Sequence, residues 1–245
     1  MNKPRFWLVI PAAGIGQRMQ AGCPKQYLRI RGRYILDITV SRLLAFANFV
    51  DCADFAGCMI ALHPDDECWA NTETSGDRRV SSCTGGRERA DSVQAALQAL
   101  SGRADAGDWV LVHDVARPCV SREDLHRLLS SLADHPTGGL LAAPVTDTLK
   151  RVRRGGTNVD GTEDRSGLWR ALTPQMFRYE ALSRALRQAE ANHQPVTDEA
   201  SAMEMAGSTP QVVEGRPDNI KITVPADLAL AEFILGQLDR NDHSH

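Results

Sequence analysis

Phe6-Trp7-Leu8-Val9-Ile10-Pro11-Ala12-Ala13-Gly14-Ile15-Gly16-Gln17-Arg18-Met19, followed by Cys23-Pro24-Lys25-Gln26, is the stretch that decides the fold. Residues 7–11 are apolar without alternation, the pattern of a strand buried on both faces. The strand runs into Ala12, Ala13, Gly14 and Gly16, small residues that let backbone N–H groups approach an anion closely. No Gly-Lys-Ser/Thr follows, which excludes a Walker loop. Met19 stands where a dinucleotide fingerprint needs its third glycine, so that reading fails too. What distinguishes the loop is its pair of cations, Arg18 and Lys25. They flank a turn at the C-terminal end of a strand, where open α/β sheets bind ligands. A triphosphate held on backbone amides there has both within reach, the guanidinium as a fork and the ammonium as a mobile point charge. The competing reading, two solvated loop charges, is less favoured.

Outward from this loop, short apolar runs alternate with amphipathic ones. Strands are expected at residues 7–11, 57–62, 79–82, 109–113 and 140–145, with shorter ones at 211–213 and 220–223. Helices are expected at 35–46, 89–100, 122–133, 178–191, 198–206 and 227–238. Ser121 is the expected cap of the third helix, with Asp124 at its N3 position, and Thr197 that of the fifth. Pro225 suits the start of the last. Such alternation predicts one α/β domain over residues 1–245, a mostly parallel sheet covered by helices on both faces. Residues 146–169 break the rhythm: they are polar, rich in glycine and arginine, and too long for an ordinary connection. We read them as an extended β-arm, with 148–152 and 168–172 pairing at its base and a partner subunit as its docking surface.

Composition narrows the function. The 245 residues carry a formal charge of −3, which gives no basic field for nucleic acid or an anionic membrane. No stretch approaches the roughly 18 apolar residues of a membrane span. The run after Lys3-Pro4-Arg5 is cut by Pro11 and lacks the form of a secretory signal. The six cysteines include no CxxC pair, so free thiols in a cytoplasmic protein are expected rather than a zinc site.

Pro11-Ala12-Ala13-Gly14-x-Gly16-x-Arg18-Met19 followed by Pro24-Lys25-Gln26 resembles the opening signature of the 2-C-methyl-D-erythritol 4-phosphate cytidylyltransferases. Further stretches match in order: Gly85-Gly86-Arg87-Glu88-Arg89-Ala90-Asp91-Ser92-Val93, His113-Asp114-Val115-Ala116-Arg117-Pro118, Asp164-Arg165, Leu172-Thr173-Pro174-Gln175, Thr197-Asp198-Glu199-Ala200-Ser201 and Asp218-Asn219-Ile220-Lys221. The resemblance spans about residues 6 to 236. It implies a Rossmann-like nucleotidyltransferase that moves CMP from CTP to methylerythritol 4-phosphate, with magnesium or another divalent cation as cofactor and a homodimer formed through the arm.

Carried over residue by residue, the resemblance makes Arg18, Lys25, Arg165 and Lys221 the catalytic cations. It gives the nucleotide to Ala12, Ala13, Gly14, Gly16, Gly86, Arg87 and Ser92, and the acceptor to Asp114, Arg117, Thr148, Thr173 and Thr197. Asp114 and Asp218 become magnesium ligands, and Arg165 acts on the neighbouring subunit's site. Arg87 stands where the family often has an acidic residue. Arg89 and Asp91 are expected to shape the turn, and His113 to be structural. Two other functions fit the same residues: a cytidylyltransferase for another polyol phosphate, such as ribitol 5-phosphate, and a nucleotide-binding regulator without turnover.

Overall fold

The computed structural model describes residues 5–14, 23–47 and 53–242. Its centre is a seven-stranded sheet. In chain order the strands are β1 (Arg5–Ala12), β2 (Arg29–Ile30), β3 (Arg33–Tyr34), β4 (Asp54–Leu62), β5 (Val80–Thr84), β6 (Trp109–Val112), β7 (Gly138–Pro144), β8 (Lys150–Val152), β9 (Val159–Thr162), β10 (Trp169–Arg178) and β11 (Gln211–Glu214). The helices are α1 (Ile35–Ala47), α2 (Arg89–Ala99), α3 (Arg122–Leu132), α4 (Tyr179–Ala191), α5 (Glu199–Met205) and α6 (Ala226–Asp242). The sheet order is β11-β7-β10-β6-β1-β4-β5. Neighbours run parallel except at β10, which opposes both β6 and β7.

β1 shows why its sequence is apolar throughout. Phe6, Leu8, Ile10 and Ala12 join one buried cluster with Leu36, Leu43, Leu125 and Leu128 of α1 and α3. Trp7 and Val9, pointing the other way, join a second with Val93 and Leu97 of α2 and Leu182 and Leu186 of α4. A strand alternates its side chains, so a sheet with helices on both faces needs apolar residues at every position. A third cluster packs Ile234, Leu235 and Leu238 of α6 against Ile35 and Ile38 of α1. Where Trp7 meets solvent-side polarity, its indole N–H donates to buried Asp108 at 2.8 Å.

The structure corrects four local expectations. Residues 220–223 form no strand: Ile222 makes a single backbone bond to the Ala116 carbonyl, 2.9 Å, and its side chain is buried in the third cluster. The cap of α5 is Asp198, whose carboxylate accepts the Ser201 N–H at 2.9 Å, not Thr197. The long strand β10 lies where the sequence suggested only an arm base and a loop; it carries Pro174, which cannot donate to a ladder, and its register with β7 slips between Ala171 and Gln175. Finally, residues 168–172 do not pair with 148–152. β8 pairs with β9 across a turn at Arg153–Gly156, where Gly155 has φ 80°, while Trp169–Ala171 pairs with β7. A local hairpin closes a shorter loop than the expected pairing. Ser121 caps α3 as expected, its hydroxyl accepting the Asp124 N–H at 3.1 Å.

Candidate active site

β6, β1, β4 and β5 lie in that order in the sheet, and the segments that leave β1, β5 and β6 form a pocket of about 150 Å³ over the C-terminal sheet edge. Ala12, Ala13 and Gly14 supply one wall and Gly86, Arg87 and Ser92 a second. Lys25, Asp114 and Lys221 line it too, so residues far apart in sequence face one cavity. Lys25 starts a 3-10 turn, Lys25–Tyr27. The buried amide of Gln26 donates to the Ala12 carbonyl at 2.8 Å and ties that turn to the strand end. Gly16 and Arg18 lie outside the described residues.

The second wall depends on two glycines. A Cβ at Gly85 would sit 2.7 Å from the Ala13 Cβ and 2.9 Å from the Ser92 hydroxyl; one at Gly86 would sit 2.2 Å from the Asp91 Cβ. The turn therefore packs with no side chain between it and the first loop. Asp91 accepts the Glu88 N–H at 3.0 Å, closing the start of α2. The Ser92 hydroxyl accepts from the Gly86 N–H at 3.2 Å and donates to the Glu88 carbonyl at 3.1 Å. It therefore holds the wall as well as facing the pocket.

Behind Asp114 lies the feature that sequence reading missed. Arg89 Nε donates to Asp114 Oδ1 at 2.7 Å, and its two terminal nitrogens donate to the two Glu199 oxygens at 2.7 and 3.0 Å. Lys221 Nζ donates to the other Asp114 oxygen at 2.8 Å. The Asp114 and Glu199 side chains are 9% and 1% exposed, so these pairs are shielded from water. Burial alone would raise the Asp114 pKa, but Arg89 and Lys221 outweigh it and hold the carboxyl below its usual range. Burial likewise opposes the Arg89 charge, and Glu199 and Asp114 outweigh that. One signal was available. Arg89 opens α2, where the helix dipole disfavours a cation, so it needed an acidic partner from elsewhere.

His113 braces the same loop. The Thr173 hydroxyl accepts the Asp114 N–H at 3.1 Å and lies 3.0 Å from His113 Nδ1, while the Arg117 carbonyl, which can only accept, faces Nε2. That assigns the proton of the neutral ring to Nε2, which donates to the Arg117 carbonyl at 3.0 Å. Burial pushes the His113 pKa down to about 4. The expected structural role fits this arrangement.

Several predicted acceptor residues sit elsewhere. Thr173 is buried with its hydroxyl engaged by His113 and Asp114. Arg117 turns inward: it donates to the Asn219 carbonyl at 2.7 Å and lies 3.6 Å from Asp114. Thr197 is exposed beside α5, and Thr148 and Arg165 are exposed on the arm, where Arg165 donates to the Thr146 carbonyl. None of these five lines the pocket. Asp218 does not line it either, and its carboxylate is engaged by Arg216, at 2.9 Å to Nε.

The donor set does not fit a magnesium ion held by Asp114 and Asp218. Magnesium wants near-octahedral oxygens and keeps much of its water. Both Asp114 oxygens already accept from cations, and Asp218 is paired away from the pocket. Among the described residues no group of three or more His, Cys, Asp or Glu is arranged to hold a metal.

Comparison with known proteins agrees along the chain. The family model described as 2-C-methyl-D-erythritol 4-phosphate cytidylyltransferase (IspD) matches residues 6–237. A protein of that name from Ectopseudomonas mendocina (strain ymp) is 55% identical over 227 residues, 92% of this chain and 93% of the relative. Another, from Pseudomonas aeruginosa (strain UCBPP-PA14), is 51% identical over 92% of this chain and 94% of the relative. The crystal structure of the Francisella tularensis enzyme of this name superposes with a TM-score of 0.78 at 36% identity, over 94% of this chain and 99% of that one. The chain belongs to the 2-C-methyl-D-erythritol 4-phosphate cytidylyltransferase family.

Proposed function

We infer that the protein transfers CMP from CTP to 2-C-methyl-D-erythritol 4-phosphate, forming CDP-methylerythritol and pyrophosphate for isoprenoid precursor synthesis. The observation that carries this reading is the pocket itself. Lys25 and Lys221 face one cavity from two segments, with Asp114 beside Lys221 and glycine-rich backbone at both nucleotide walls. A phosphate oxygen of the acceptor attacks the α-phosphorus of CTP. One P–O bond forms there as the bond to the β-phosphate oxygen breaks, and the electron pair leaves with pyrophosphate. The attacking phosphate is already ionised near neutral pH, so no general base is required. What remains is to bring two polyanions together and to stabilise the charge that develops, which is the work of fixed cations.

In this reading Ala12, Ala13, Gly14, Gly16, Gly86, Arg87 and Ser92 receive the nucleotide. Arg18 and Lys25 stabilise charge at the α-phosphate, and Lys221 meets the acceptor phosphate. Bound to the triphosphate, a divalent cation such as magnesium would supply charge neutralisation, and no described residue of this pocket is assigned to hold it. The arm at residues 146–169 joins two copies and carries Thr148 and Arg165 to the partner's pocket. Its exposed Val152, Val159 and Trp169 suit an interface between copies. A cytoplasmic location accords with helices none of which, among the described residues, is long and apolar enough to cross a membrane.

Pyrophosphate release tests the reading, with CTP against UTP, GTP and ATP and with methylerythritol 4-phosphate against ribitol 5-phosphate. CTP with methylerythritol 4-phosphate should be the preferred pair. Preference for ribitol 5-phosphate would reassign the acceptor, and no release with any pair would leave a regulator. Removing residues 150–163 should weaken dimerisation; a variant still dimeric in sedimentation would refute the arm's role.

A further inference from the structure

Glu199 takes no part in the pocket surface, yet its two oxygens determine what Arg89 can do. Held by its terminal nitrogens in a fork on Glu199, the Arg89 guanidinium is oriented so that it meets Asp114 through Nε, on Oδ1. One Asp114 oxygen therefore stays available, and Lys221 occupies it. Glu199 is itself held by the opening of α5. The Gln175 amide grips that opening from both ends, Nε2 donating to Asp198 at 2.9 Å and Oε1 accepting the Ala200 N–H at 2.8 Å.

We propose that Glu199 is a positioning residue: by engaging Arg89 it prevents that guanidinium from taking both oxygens of Asp114, and so it keeps Lys221 at the acceptor end of the pocket. An arginine freed of one carboxylate turns its planar fork to the next, and a two-bond fork outcompetes a single ammonium. Losing Glu199 thus displaces Lys221 without disturbing the nucleotide walls, which rest on Gly85, Gly86 and Gln26. This inference rests on the proposed function for the identity of the acceptor.

The test compares wild type, Glu199→Gln, Arg89→Lys and the double variant. Steady-state kinetics are run in both substrates, with acceptor binding measured by calorimetry. Glu199→Gln should raise the acceptor KM about tenfold and leave the CTP KM within about twofold. The double variant should recover toward the wild-type acceptor KM, because without the arginine fork nothing displaces Lys221. An unchanged acceptor KM overturns the proposal. So does a CTP KM that rises in step, or a lowered kcat or melting temperature with both KM values intact, since each describes a brace and nothing more. Arg89→Lys, which has no fork to turn, should show a smaller acceptor effect than Glu199→Gln. If Glu199→Gln does not fold, Glu199→Asp, whose shorter carboxylate loosens the fork, is the deciding variant, with the Glu199→Gln split expected. If wild type releases no pyrophosphate, the proposed function fails, and calorimetry with the acceptor still reads what Glu199 does.

Discussion

The pocket wall and the arm both carry arginine–carboxylate pairs, and the two sets do different work. At the wall, Arg89 meets Asp114 and Glu199 with side chains 25%, 9% and 1% exposed. On the arm, Arg151 meets Glu163 and Arg153 meets Asp160, with the arginines 66% and 82% exposed. An exposed pair is screened by water and costs side-chain freedom, so it contributes little. A buried pair is not a large net gain either, because desolvation opposes it. Removing one partner, however, leaves a charge with no compensation. Contact lists make the two regions look alike; burial decides that only the wall is brittle.

The largest effect should come from the wall. Asp114→Asn leaves Arg89, Arg117 and Lys221 crowded without their shared anion, and unfolding free energy should fall by about 3 kcal/mol in urea titration. An unchanged midpoint would remove the distinction drawn here. Next, Lys25→Ala and Arg18→Ala should each cut turnover by at least about two orders of magnitude, the usual cost of one preorganised donor. Near-normal rates in both would free them from catalysis.

A smaller effect should appear with pH. His113 is held neutral, its folded pKa pushed below the unfolded one, so the unfolded chain binds the extra proton first. The stability it contributes is complete above an unfolded pKa of about 6.5 and is lost as pH falls toward about 4. His113→Asn should flatten the stability curve in that window; a slope that persists would point to another group. Asp114, shifted below its ordinary range, acts in more acidic solution and does not confuse the reading. Smallest of all, Arg151→Ala should leave the melting temperature within error. A clear drop would mean that the arm pairs do more than their exposure allows.

Much of this was legible in the sequence, for stated reasons. Strands buried on both faces announce themselves as unbroken apolar runs, as at residues 7–11 and 109–113, and the six helices follow their periodicity within a few residues. β10 was obscured because Thr173 and Pro174 interrupt its apolar pattern and because proline argues against a central strand. A pocket with Lys25 was anticipated from the glycine-rich loop that follows an apolar run, and Asp114 from its place at a strand end, whereas Lys221 entered only through the family resemblance; all three line one cavity. Arg117 and Thr173 do not line the pocket, and no sequence pattern tells whether a polar side chain faces a cavity or a neighbouring carbonyl. The Arg89–Glu199 pair was hidden by distance along the chain: α2 and α5 are brought together by packing that both make against α4.

The contact between Gly85 and Ala13 has a further consequence. Because even a methyl group at Gly85 would collide with the Ala13 methyl and the Ser92 hydroxyl, the separation between the two pocket walls is a fixed gauge that leaves no room for a side chain at that glycine. Retuning this enzyme toward a larger or smaller base thus has little freedom in the floor of the cleft. Any such change has to begin at its rim, where the exposed Arg87 stands with space to vary.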